Sequence, residues 1–247
     1  MATEGKPQAT DIVIGAGSGI GGALVDRWRH DGVHPVLAVA RTGSLSRWLS
    51  LSDLSTHPCD YTDEALQTLA DRLTTENCDI ARLVICNGVL QGEDYRPERA
   101  LSHLDSSAME RVFAVNTFLP MRVLSALSPV LKQSSTPRIA VLSARVGSIG
   151  DNRLGGWYSY RASKAALNMM LKCAALELKR LNRRAKLIAY HPGTVDTPLS
   201  KPFQAGVAAD KLFSAERAAE ALDRVIAGVE ADGELSYLDW RGEAIPW

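Results

Sequence analysis

A chain of 247 residues with 46% apolar content can bury a sizeable core, in one large domain or two small ones. Lysine plus arginine and aspartate plus glutamate stand at 28 each, so no overall field favours a polyanion or an anionic membrane surface, and a small-molecule ligand fits better. The opening Met1-Ala-Thr-Glu-Gly-Lys-Pro7 lacks a basic segment followed by an apolar run, and no later stretch reads as long and apolar enough to span a bilayer, so the sequence predicts a cytoplasmic protein.

Asp11-Ile-Val-Ile14 is a short apolar run that breaks into Gly15-Ala-Gly-Ser-Gly-Ile-Gly-Gly22, after which Ala23 to His30 reads as helix: strand, turn, helix. Val36-Leu-Ala-Val-Ala40 is a second buried strand, and the segment around Pro58-Cys-Asp60 reads as the end of a third. Helix follows from Asp63 to Thr75, with Leu66, Leu69 and Leu73 on one face. Leu83-Val-Ile-Cys86 makes a fourth strand ending in Asn87-Gly88, and Ile139-Ala-Val-Leu142 a fifth ending in Ser143. Long helical patterns occupy about 106–132 and 158–181. Lys186 to Tyr190 is a sixth strand stopped by Pro192-Gly193, helix returns from Ser214 to about Val229, and Leu235 to Leu238 closes the series.

This alternation, without repeats or a linker-like shift in composition, predicts an α/β protein: one Rossmann-type, doubly wound parallel sheet with helices on both faces, as a single domain over residues 1–247. Ligands of such sheets bind at the carboxyl ends of the strands, where Gly15, Asn87, Ser143 and Pro192 all fall. Cys59, Cys78, Cys86 and Cys173 form no C-x-x-C pair and read as reduced packing thiols, not a metal site.

Glycines 15, 17, 19, 21 and 22 permit a tight turn, close approach to a pyrophosphate and a helix whose positive end faces the phosphates. Both G-x-G-x-x-G (17, 19, 22) and G-x-x-x-G-x-G (15, 19, 21) can be read here. The second strand ends at Ala40-Arg41 with no acid from Val33 to Thr42 to take an adenosine ribose diol. Arg41 suits a 2′-phosphate instead, with Arg47 as a helper, so NADP(H) is favoured while NAD(H) stays open.

Tyr160 and Lys164 stand four apart on a predicted helix, on one face. An adjacent ammonium and a positively charged nicotinamide favour the phenolate and bring the phenolic proton within reach at neutral pH. Tyr160 is then the general acid in reduction. Tyr158 is a rival phenol, but its partner four residues on is Ala162; with Trp157 it reads as lining the pocket or packing at a helix start. His191 beside the Pro-Gly turn reads as structural.

The order of these motifs, with Asn116 in Ala-Val-Asn-Thr between the fourth and fifth strands, resembles the short-chain dehydrogenase/reductase family over essentially the full chain. The resemblance implies that Lys164 binds the nicotinamide ribose and that Asn116 holds a proton-relay water. It implies that Ser143 polarises the substrate carbonyl, and it sets Ser18 and Ile20 of the glycine loop, Asp60, Tyr61, Asn87 and Gly88 against the cofactor. Pro192-Gly-Thr-Val-Asp-Thr197 is expected to fix the carboxamide, through Pro192, Gly193, the Val195 backbone and Thr197. Residues 198–213 become a mobile substrate lid. Ser-Ala-Arg-Val-Gly-Ser-Ile, the spacer Asp151 to Trp157 and the ending Asp239 to Trp247 are similar to the C-factor and sniffer-like carbonyl reductase branch.

Three positions depart from the family pattern. Cys86-Asn87-Gly88 replaces Asn-Asn-Ala-Gly, Ile14 replaces a threonine, and Ala144 stands where the catalytic serine of Ser-Ser-x-x-Gly is expected, leaving Ser143, or less directly Ser148, to supply the hydroxyl. The leading expectation is an NAD(P)(H)-dependent oxidoreductase acting on a carbonyl or alcohol substrate, without nucleic-acid or membrane partners, as a homo-oligomer (dimer or tetramer). The alternative is a cofactor-binding signalling or scaffold protein with vestigial catalysis. Arg180, Arg183 and Arg184, which could suggest RNA, read as charges complementing a helix C-terminus.

Overall fold

The computed structural model describes residues 7–17 and 19–247. Seven strands form one parallel sheet in the order β3-β2-β1-β4-β5-β6-β9: β1 Gln8–Ile14, β2 Val36–Ala40, β3 Ser55–Pro58, β4 Cys78–Ile85, β5 Arg138–Leu142, β6 Lys186–His191 and β9 Leu235–Asp239. Residues alternate between two cores. Ile12, Ile14, Leu83, Ile85, Ile139 and Val141 face the helices α2 (Asp63–Thr75), α4 (Leu119–Gln133) and α5 (Tyr158–Leu181). Val13, Val84, Ala140 and Ile188 face α1 (Gly19–Asp31) and α6 (Ala215–Gly228). Burial on both faces is why the strands read as unbroken apolar runs.

The order reverses between β1 and β4, opening a crevice at their carboxyl ends. There the Gly15 and Ala16 N–H groups both donate to Val39 O, at 2.9 and 3.1 Å, and Cys86 N–H to Ile14 O at 2.8 Å. The glycine loop and the Asn87 loop are thereby held side by side.

Element boundaries differ from the sequence expectation where side-chain pattern and backbone part company. α1 starts at Gly19, inside the glycine run; β4 starts at Cys78, five residues early; and β3 ends at Pro58, before the predicted Asp60. The helix expected over 106–132 is three pieces: α3 (Ser106–Phe113), a π turn (Ala114–Phe118) and α4. By length and apolarity Ser106–Gln133 does meet the test for a membrane span that the sequence reading assigned to no segment; about half of it is buried in the fold, its apolar side against α2, β4 and α5. A short parallel pair, β7 (Thr194–Val195) with β8 (Leu212–Phe213), was not legible at all.

Candidate active site

Five glycines shape the turn from β1 into α1. A Cβ on Gly21 would lie 2.4 Å from Gly15 O, and one on Gly17 would lie 2.4 Å from Ser44 Cβ, so both positions exclude a side chain. Gly15 (φ +80°) presses on Asn87, whose buried Oδ1 has no protein partner and whose side chain lines the main cavity. Ser18 lies outside the described residues.

That cavity, about 820 Å³, runs from the start of α1 to the segment after β7. Of the expected cofactor residues, Gly19, Ile20, Gly21, Asn87, Gly88, Pro192, Gly193, Val195 and Thr197 line it, together with Tyr160 and Lys164. Thr197 Cγ2 lies 3.0 Å from a Cβ built on Gly19, so the start of α1 and the segment after β7 meet there.

Arg41, Asp60 and Tyr61 are outside this cavity, around the edge of the sheet at β2 and β3. Arg41 is exposed, and among the described residues its guanidinium forms no ion pair. Arg47, expected as its helper, is engaged elsewhere: it donates to Gly22 O at 3.1 Å, pairs with Asp26 and stacks on Trp48. Asp60 accepts from the Thr62 N–H and hydroxyl, both at 3.1 Å, and these bonds hold its carboxyl below the usual range. Tyr61 is buried with a left-handed backbone (φ +69°), and burial pushes its phenol up, with Asn87 and Gly15 as polar neighbours.

Tyr160 sits in the first turn of α5 and Lys164 one turn on, with the ammonium 5.9 Å from the phenol ring centroid. Lys164 is buried, and its Nζ donates to Leu142 O at 2.8 Å, which leaves further donor capacity toward the cavity. The turn Arg145–Gly147 makes this approach possible: a Cβ on Gly147 would lie 2.7 Å from Lys164 Cβ and 3.0 Å from its backbone carbon. Burial pushes the Tyr160 phenol up to about 12 and the Lys164 ammonium down to about 7. The sequence expectation that the lysine draws the phenol down is therefore not met by the chain's own residues. Exclusion from water dominates the phenol in the protein alone.

Asn116 sits in the π turn, fully buried, and its amide clasps Val89: Nδ2 donates to Val89 O at 2.8 Å and Oδ1 accepts from Val89 N–H at 2.8 Å. Nδ2 also donates to Ser163 Oγ at 3.1 Å, and that hydroxyl donates to Tyr160 O at 2.8 Å. Asn116 Oδ1 and Lys164 Nζ flank Gly88, 3.6 and 3.7 Å from a Cβ built there. An extra residue in a helical turn is a frequent device at functional sites.

Ser143 does not present a free donor. Its hydroxyl donates to Asn168 Oδ1 at 2.7 Å, and the neighbouring Tyr237 phenol donates to Ala144 O at 2.7 Å. Ser148, the other serine considered, is buried and accepts from Asp151 N–H at 3.1 Å, away from the cavity lining. Tyr158 is likewise absent from the lining, whereas Trp157 combines both roles weighed for it: it caps α5 and lines the cavity. Trp157 holds φ +50°, a conformation costing a non-glycine residue about 1–2 kcal/mol, and its ring meets Tyr160 edge-on at 6.2 Å and Phe203 at 5.2 Å.

Sequence reasoning did not single out Gln91 or Arg145 on the cavity wall; Leu199 and Phe203, also there, fall within the lid expected over 198–213. His191 also lines the cavity, and burial pushes its imidazole down to about 4. Among the described residues no cluster of potential metal ligands occurs.

A sequence profile described as short chain dehydrogenase matches residues 10–208. The chain belongs to that family. It is 34% identical over 148 residues to the C-signal of Myxococcus xanthus, covering 60% of this chain and 84% of the relative. It is 30% identical over 197 residues to 1-hydroxy-2-glutathionyl-2-methyl-3-butene dehydrogenase of Rhodococcus sp. (strain AD45), covering 79% and 81%. A carbonyl reductase from chicken fatty liver, solved with NADPH bound, superposes with a TM-score of 0.81 at 22% identity over 98% of this chain and 99% of that one, which attests the shared fold. The protein is an oxidoreductase of the short-chain dehydrogenase type.

Proposed function

We propose that this protein interconverts a carbonyl compound and its alcohol with NADP(H), using Tyr160 as general acid in reduction and general base in oxidation. The observation that carries the reading is the Tyr160–Lys164 pair, one helical turn apart on the wall of the cavity that the glycine loop enters. The residues fit a dinucleotide: two glycines with no room for a Cβ, an orphaned Asn87 Oδ1, and a buried lysine with one protein acceptor. When bound, the nicotinamide supplies or takes up the hydride.

The chain's own part is proton control and placement. Protonated at neutral pH, Tyr160 is ready to donate to the substrate oxygen. Lys164 offers its remaining N–H donors to ribose hydroxyls, and Asn116 links Val89 to the Tyr160 backbone through Ser163. With Ser143 bonded to Asn168, Tyr160 polarises the carbonyl without a serine. Arg41 favours NADP(H) alone, Arg47 being held by Asp26. Residues 198–213, carrying Leu199 and Phe203, serve as the cover over the substrate. Exposed Met169, Met170 and Leu176 on α5 support a homo-oligomer, which light scattering tests.

Replacing Tyr160 by Phe is expected to leave NADPH affinity within about threefold while turnover falls on the order of a thousandfold. Undiminished turnover rejects the assignment. Ala144, together with the similarity to C-signal, supports a second reading, a dinucleotide-binding signalling protein with vestigial catalysis. NADPH binding without turnover across a broad aldehyde, ketone and alcohol panel selects it.

A further inference from the structure

Glu98 belongs to none of the motifs above. It lies in the loop between β4 and α3, yet it is only 5% exposed. Its carboxylate accepts from the Ser159 N–H at 3.2 Å and from the Ser159 hydroxyl, while its backbone carbonyl accepts from the Trp157 N–H at 2.5 Å. Among the described residues no lysine or arginine pairs with it. All these bonds fall on the first residues of α5.

That helix lacks local means to close its own N-terminus. Trp157 at the cap offers no side-chain acceptor, and the first turn carries no acid. The approach is unusual as well: Gly155, Gly156 and Trp157 run left-handed in succession, at φ 63°, 64° and 50°. A Cβ on Gly156 would lie 3.4 Å from Glu98 O, so the turn is fitted against this loop. The free N–H groups and the positive end of a 24-residue helix are thus met by a carboxylate 61 residues upstream.

We propose that Glu98 is a positioning residue: by closing α5 from the neighbouring loop it sets the height and rotation of Tyr160 and holds Trp157 on the cavity wall. It acts through the helix, one residue before the phenol. A glutamine at 98 keeps the volume and an acceptor for the Ser159 N–H, with its amide donating to the Ser159 hydroxyl, and removes only the negative charge. The kinetic part rests on the reading of Tyr160 as proton donor; the structural part does not.

The test is amide hydrogen exchange on the full-length protein with NADPH, alongside steady-state kinetics. Glu98→Ala is expected to speed exchange at residues 158–162 roughly tenfold, with residues 167–178 changed by less than about twofold. In the same variant kcat falls about 10- to 100-fold, while the NADPH Kd stays within about threefold. Ser159→Ala loosens the same amides less, and adding it to Glu98→Ala brings no further loss. Unchanged exchange at 158–162, equal loosening along the whole helix, or full kcat despite local loosening each overturn the proposal. Should Glu98→Ala fail to fold, Glu98→Met, which keeps the volume without an acceptor, carries the same comparison. If the wild type reduces no carbonyl at all, the functional reading fails, and exchange still decides what Glu98 holds.

Discussion

Ser143 gives its hydroxyl proton to Asn168 Oδ1, at 2.7 Å, and the residue after it, Ala144, has no proton to give. On the proposed reading, substrate polarisation then falls on Tyr160 alone. Ser143→Ala is expected to keep kcat within about threefold but to cost about 1–3 kcal/mol, because Asn168 loses a buried partner. Ala144→Ser, which places a hydroxyl on the cavity wall, is expected to raise kcat/KM roughly fivefold. Steady-state rates and thermal melts read both; a hundredfold loss in Ser143→Ala with an unchanged Tm returns the catalytic role to that serine.

Arg41 and Arg47, its expected helper, part company in the fold, where Arg47 is held by Asp26. Arg41→Asp is expected to weaken NADPH binding about 10- to 100-fold and to tighten NADH binding, since a carboxylate repels the 2′-phosphate and suits the diol. Arg47→Ala is expected to leave both affinities nearly unchanged, removing an exposed ion pair worth about 0–1 kcal/mol. Titration calorimetry with the two dinucleotides separates these outcomes. A wild-type preference for NADH overturns the assignment.

The two directions of reaction are expected to respond oppositely to pH. Burial keeps Tyr160 protonated to about 12, so oxidation, which needs the phenolate, accelerates as the medium becomes alkaline. Lys164 titrates at about 7, so the reductive rate declines as its charge is lost above neutrality. Initial rates in both directions at constant ionic strength test this, and Lys164→Met is expected to flatten the reductive profile. Parallel pH profiles in the two directions count against it.

His191 gives a stability prediction with a definite sign. Burial first, and then the nearby Arg145, push its imidazole down to about 4 against the pull of Asp239. Between about 4 and the unfolded value near 6.5 the unfolded chain binds more protons than the folded one, so stability falls as pH drops through that window. The loss reaches on the order of 2–3 kcal/mol near pH 4. Melting temperatures of wild type and His191→Gln across pH 4–7 measure it; identical slopes count against a buried neutral imidazole.

Buried strands announced themselves as apolar runs because each is covered on both faces, and the loops that end them fell in the order the chemistry requires. What stayed hidden depends on partners remote in sequence. Arg47 reaches back to Asp26 on α1, Ser143 forward to Asn168 on α5, and Glu98 across to Ser159. None of these leaves a periodic signal. The π turn was hidden for another reason: apolar residues continue through 106–132 at helical spacing, so one extra residue per turn does not disturb the composition.

That extra residue is absorbed where it stands. Each residue of an α-helix advances the direction of its side chain by about 100°, so an insertion kept in α geometry would turn everything beyond it by that angle relative to α3. Taken up in the wide turn Ala114–Phe118, it leaves Val123, Leu127 and Leu131 of α4 in the core and the Asn116 amide on Val89. Deleting one residue there is expected to close the turn, keep the buried face of α4 and release Asn116 from Val89. The turn is slack in the helix: it takes up one residue without passing the rotation on.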